Sequence, residues 1–147
     1  MGIHFYNEDV KYNLISKRKI RSWLLSVVEQ EQKNMGEISC IFCSDNYLFK
    51  INKQYLNASY FTDVITFDYT EKNRISGDVF ISIDRVKENA KLYNQHYFKE
   101  ILRVILHGIL HLCGYKDKTK KEITFMREKE DYYLQQFILE KNSTFAT

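Results

Sequence analysis

No proline occurs among the 147 residues, and that absence settles the placement of no element. No apolar run approaches the roughly 20 residues that span a bilayer, and the N-terminus lacks the basic-then-apolar layout of a secretory signal. The protein is therefore expected in the cytoplasm, with no membrane partner. Gly2 stands where a myristoylation motif begins, but Tyr6 occupies the position where that motif requires Ser or Thr. Three cysteines make an odd number, and without an export signal they are expected to stay reduced. Internal repeats, low-complexity tracts and linkers are also missing. The net charge is only +3, which permits a nucleic-acid partner without demanding one.

What is present is the composition of a globular protein: 44% apolar, 15% aromatic and 28% charged residues. The length suits one domain, residues 1–147, with a core of its own. Ile3 and Phe5 alternate with polar neighbours as in a short strand. Ile20, Trp23, Leu24, Val27 and Val28 then recur at helical spacing. They predict an amphipathic helix over about residues 17–35, with Ser16 as its N-cap and Gly36 closing it. Lys17, Arg18, Lys19 and Arg21 at its start oppose the helix dipole and are either a phosphate-binding patch or a solvated face.

Glu37 to Cys43 reads as a strand, and on a strand Cys40 and Cys43 point to opposite faces. That favours two core thiols over the zinc or redox chemistry of a Cys-x-x-Cys pair. Ser44 can cap a helix carrying Leu48, Ile51 and Tyr55. Thr62–Asp68 and Ile75–Ile83 read as strands that can pair as a hairpin around Lys72 and Asn73, with Gly77 at a bulge or close approach. A helical region follows from Asp84 to about Asn94, then a central helix from Tyr97 to Cys113 with Ile101, Leu102, Ile105, Ile109 and Leu112 as its buried stripe. Thr119 and Glu122 form a capping box for a final helix, whose apolar face is Ile123, Met126, Tyr133, Leu134, Phe137 and Ile138. This order of elements predicts an α+β fold, a small mixed sheet packed with helices.

The stretch with most chemistry is His107-Gly108-Ile109-Leu110-His111-Leu112-Cys113-Gly114-Tyr115-Lys116-Asp117. Four residues apart on a helix is one turn on one face, so the two imidazoles can converge. Gly114 ends the helix and lets the chain fold back, bringing Asp117 toward the same point. Two imidazoles and a carboxylate leave a coordination position open, the arrangement of a catalytic divalent metal. The same spacing also serves two hydrogen-bonded histidines in a core. Two of only four histidines lie here, and the spacing parallels the metzincin pattern. Gly108, however, stands where His-Glu-x-x-His enzymes carry their general base. Lys116, Lys118, Lys120 and Lys121 surround Asp117 as a cationic rim or a solvated loop.

Three segments together resemble the YbeY-like endoribonucleases. Residues 107–115 are similar to that family's His-Gly-x-Leu-His-Leu-x-Gly-Tyr-Asp-His signature. Thr62-Asp63-Val64-Ile65-Thr66-Phe67 resembles its Thr-Asp-Val-Leu-Ser-Phe segment, and Gly77-Asp78-Val79-Phe80-Ile81-Ser82 its Gly-Asp-Ile-x-Ile-Ser strand. The resemblance implies that His107 and His111 are metal ligands and that Asp117 stands where most members have a third histidine. Leu56 falls where the family commonly has an arginine facing substrate.

What the resemblance implies is a single-strand endoribonuclease acting in ribosomal RNA maturation and ribosome quality control. It would carry one divalent ion, zinc by preference, that activates a bound water or polarises a phosphoryl oxygen. No general base is assigned. Arg103, Lys116 and Lys118 would hold phosphates, and the partners would be ribosomal RNA precursor and a ribosomal subunit or its proteins. The rival readings are a non-catalytic ribosome-associated RNA-binding factor with a structural metal, and a metallohydrolase of another substrate class.

Overall fold

The computed structural model describes residues 2–57 and 62–146, with 139–146 described by backbone alone. The elements are β1 (Gly2–Asn7), α1 (Lys17–Gln30), β2 (Asn34–Cys43), α2 (Asp45–Leu56), β3 (Val64–Asp68), β4 (Arg74–Ser82), α3 (Ile83–Leu92), α4 (Tyr97–Leu112) and α5 (Lys120–Ala146). The strands form one sheet in the order β1-β2-β4-β3. β1, β2 and β4 run parallel, and β3 joins β4 as an antiparallel hairpin whose turn holds Lys72 at φ 55°. The α+β fold and mixed sheet are as expected.

The central helix α4 is interior on almost every side. Ile101, Leu102, Val104, Ile105, Leu106, Ile109, Leu110 and Leu112 are all buried, a wider surface than the predicted stripe, which leaves Lys99, Arg103, His107 and His111 as a partly exposed polar row. It lies on the same face of the sheet as α1, with Ile38, Cys40, Val79 and Ile81 beneath. Two glycines set how deeply it sits. A Cβ on Gly108 would come 2.6 Å from Val79 Cγ1, and one on Gly77 would meet the Phe67 carbonyl oxygen at 2.3 Å and Leu112 Cδ2 at 2.8 Å. The position after His107 thus faces the sheet, where a glutamate would find no room.

The opposite face is covered by α2, where Cys43, Leu48, Ile51 and Ile65 form a smaller cluster. Cys40 and Cys43 do divide between the faces, and burial pushes both thiols up to about 12. Ser44 caps α2 by accepting from the Tyr47 N–H, while Tyr55 is exposed and meets the Phe67 ring edge-on. Thr119 and Glu122 make the reciprocal capping bonds at the start of α5. Ile123 is exposed, so the buried face of α5 begins at Met126.

The start and end of α1 differ from expectation. Ser16 adopts φ 59° and makes no side-chain cap, because capping needs an extended backbone to aim the hydroxyl at the first turn. The helix stops at Gln30, where Lys33 N–H reaches the Val28 carbonyl and Gln32 N–H the Glu29 carbonyl, with Gln32 at φ 60°. That is a Schellman closure without glycine. Gly36 lies inside β2, at an irregularity in register with β4 where a Cβ would sit 2.5 Å from the Ile75 carbonyl oxygen. Of the basic run, Arg21 is taken into the fold: its Nε donates to the Ile3 carbonyl and its guanidinium stands over the Phe5 ring.

Gly77→Ala should therefore cost roughly 2–3 kcal/mol, the upper range for overpacking, because backbone lies in the way. Urea denaturation measures this; a change below about 0.5 kcal/mol, the scale of an ordinary surface substitution, would show that the glycine does not set the approach of α4.

Candidate metal centre

His107 and His111 project from the last two turns of α4. The helix closes as predicted: Tyr115 N–H reaches the Leu110 carbonyl and Gly114 N–H the His111 carbonyl, with Gly114 at φ 110°. A residue with a Cβ rarely takes that conformation. The chain then returns and brings Asp117 against both rings. His107 Nε2 lies 2.9 Å from His111 Nε2, and Asp117 Oδ2 lies 3.1 Å and 3.2 Å from the two. Donors at about 2.05 Å around a tetrahedral ion stand about 3.3 Å apart, so the triangle is close to the size such an ion requires.

The other nitrogen of each ring is occupied. His107 Nδ1 lies 2.6 Å from Glu130 Oε2, and His111 Nδ1 lies 2.9 Å from the Tyr115 carbonyl oxygen. A carboxylate and a carbonyl only accept, so each Nδ1 is the donor of its pair, and a ring without a second proton, as metal binding requires, presents a bare Nε2. Three acceptor atoms then face one another with no donor between them. A cation at their centre relieves that repulsion, and the donor set of two imidazole nitrogens and one carboxylate oxygen fits a divalent metal.

Glu130 is the residue that sequence reasoning missed. It comes from α5, its side chain is only 5% exposed, and Arg103 Nη1 holds its second oxygen at 2.9 Å. Arg103 Nη2 donates to Asp131 Oδ1 at 2.7 Å, so this guanidinium is spent on two carboxylates. Burial alone would lower the pKa of His107; the bond to Glu130 and its charge, with the charges of Asp117 and Asp63, outweigh burial and raise it. A signal existed in the sequence: Glu130 falls among Met126, Tyr133 and Leu134, an acid in an apolar stripe.

Beside the triangle opens a cleft of about 350 Å³ whose walls include Asp63, Glu100, Arg103, Arg127 and Glu130. Burial raises the carboxyl of Asp63, which accepts from Asn89, and that of Glu100. Arg127 is the cation there with an exposed side chain. Lys116 and Lys118 are exposed on either side of Asp117 and lie outside the described lining. Leu56, at the end of α2, is likewise exposed and outside that lining.

The chain is similar to known proteins over most of its length. Residues 3–138 match the family model described as Endoribonuclease YbeY. The chain is 47% identical over 136 residues to the Endoribonuclease YbeY of Flavobacterium johnsoniae, covering 92% of this chain and 98% of that protein. It is 50% identical over 130 residues to that of Cytophaga hutchinsonii, covering 88% and 91%. The solution structure of a Thermotoga maritima protein superposes with a TM-score of 0.68 at 28% identity, covering 97% of this chain and 93% of that one.

Glu130→Gln removes the charge that holds the His107 proton on Nδ1. It should weaken zinc binding about 10- to 100-fold, the usual cost of losing a carboxylate behind a ligating histidine. Competition with a chromophoric chelator measures it, and an unchanged affinity would mean that Glu130 does not orient the ring.

Proposed function

The chain belongs to the YbeY endoribonuclease family, and from that membership we propose that it is a metal-dependent nuclease cutting single-stranded RNA during ribosomal RNA maturation. The observation that carries the reading is the pair of imidazoles, each tied through Nδ1, that turn their Nε2 atoms toward Asp117. His107, His111 and Asp117 would hold the ion. When bound, a divalent ion supplies Lewis acidity toward a water or a phosphoryl oxygen. We read zinc as its identity, from two nitrogen donors at tetrahedral spacing. Asp117 in place of a third imidazole lowers the ion's effective charge, and its harder oxygen widens the choice toward manganese.

The chain's own residues would bind and orient the strand. Arg127 at the cleft, with Lys116 and Lys118 beside Asp117, meets phosphates, and Arg103 adds its charge from behind Glu130. Asp63 and Glu100 line the same cleft and, with carboxyls raised by burial, hold protons more readily than exposed acids do. We assign no general base among them. Leu56 offers no charge and would contribute no phosphate contact. We read residues 1–147 as one domain of this family, working in the cytoplasm on ribosomal RNA precursor and in association with a ribosomal subunit or its proteins. Among the described residues no helix is long and apolar enough to cross a membrane.

Asp117→Ala should lower cleavage of a single-stranded RNA roughly 100-fold or more, the several kcal/mol that a catalytic metal contributes. Its melting temperature should barely move, since the Asp117 side chain is 40% exposed. RNA binding by the same variant should weaken as salt rises. Undiminished cleavage would remove the metal centre from the reaction, and a collapse of stability would favour a structural metal.

A further inference from the structure

The supports of the metal centre extend to the far end of α1. Glu31 caps that helix, and its side chain is only 10% exposed. Its carboxylate accepts from Tyr115 Oη at 2.5 Å, from Tyr133 Oη, and from Lys129 Nζ at 3.4 Å. Burial by itself would raise this carboxyl, but the two hydroxyls and the lysine outweigh it and hold the group below the ordinary carboxylate range. Three donors from the loop and α5 thus converge on one charged residue of α1.

Tyr115 is the link to the chemistry. Its hydroxyl belongs to Glu31, and its backbone carbonyl is the acceptor that keeps the proton of His111 on Nδ1. The closure bond from the Tyr115 N–H to the Leu110 carbonyl holds the amide of Tyr115 but not its carbonyl, which remains free to turn with the ψ of Tyr115 itself. Holding the tyrosine ring from α1 removes that freedom. We propose that Glu31 is a positioning residue for the metal centre: through Tyr115 it fixes the carbonyl that sets the tautomer of His111 and the aim of its Nε2. The inference rests on the metal-centre reading above and adds to it a residue 84 positions away from Tyr115 in the chain.

A merely structural clasp between α1 and α5 would predict something different, because Tyr133 also binds Glu31 while its hydroxyl makes no bond to the histidine loop, whereas Lys129 stands over the Tyr115 ring as well. The test uses the full chain, zinc alone and no RNA. Glu31→Ala and Tyr115→Phe should each weaken zinc binding about 10-fold, and the double variant should lose no more than either alone, since both cut one chain of contacts. Glu31→Gln, which keeps an acceptor for the tyrosine hydroxyl, should recover most of the loss. Tyr133→Phe should lower the melting temperature and leave zinc affinity unchanged. Nitrogen-15 spectra of the zinc-free protein should report His111 wholly as the Nδ1–H tautomer in the wild type and as a mixture in Tyr115→Phe.

Unaltered zinc affinity with a lower melting temperature in Glu31→Ala would overturn the proposal, as would losses that multiply in the double variant. Should Glu31→Ala fail to fold, Tyr115→Phe with Glu31→Gln gives the same reading. If the wild type itself takes up no zinc, the metal-centre reading falls, and the His111 tautomer in the zinc-free chain still decides the role of Glu31.

Discussion

Two imidazoles with their protons fixed on Nδ1 present bare Nε2 atoms 2.9 Å apart to a carboxylate oxygen. Such a group of acceptors is repulsive without a cation at its centre, and much of the surrounding structure holds it in that condition. The histidines lie one turn apart on α4, and α4 is buried against the sheet at a depth set by Gly77 and Gly108. Glu130 of α5, held in turn by Arg103 of α4, locks the first ring, while the Tyr115 carbonyl locks the second from the loop. The site is therefore built on rigid elements, with only Asp117 reaching it from a turn. That division suits a metal held by a firm pair of nitrogens and one adaptable oxygen.

The cleft beside the triangle gives such a centre its setting. Its lining carries two acids, Asp63 and Glu100, whose burial favours their protonated forms, and Arg127, whose side chain is exposed. In the proposed reading, an anionic strand entering there would meet Arg127 beside the three candidate ligands. Gly108, which denies the chain the glutamate of a zinc protease, is required by the close approach to Val79. Fold and chemistry thus both count against a His-Glu-x-x-His peptidase at the same residue, in keeping with the YbeY family.

The convergence of His107, His111 and Asp117 was legible in the sequence because it is local: one helical turn, one glycine closure and a short return span residues 107–117. The supports were not, because tertiary structure brings them in. Glu130 meets His107 across 23 residues, and Glu31 meets Tyr115 across 84. Glu130 left a trace as an acid in an apolar stripe; Glu31, at an ordinary helix end, left none. Arg103 was legible as a cation near the site, but nothing local showed that Glu130 and Asp131 would occupy it. The end of α1 was misread for a related reason. Glycine is the visible marker of a left-handed closure, yet here Gln32 takes that conformation, and Gly36 is needed instead where β2 crowds the Ile75 carbonyl. The strands, the central helix and the α5 capping box were legible because alternation, periodicity and capping chemistry all act within a few residues.

The measurement that bears most directly on this account is the metal content and coordination of the tag-free protein, by elemental analysis together with X-ray absorption at the edge of whatever metal is found. The account predicts close to one divalent ion per chain, with two imidazole nitrogens and a carboxylate oxygen in its coordination shell. A protein that stays metal-free after exposure to zinc or manganese, or a bound ion with no imidazole among its ligands, would contradict it.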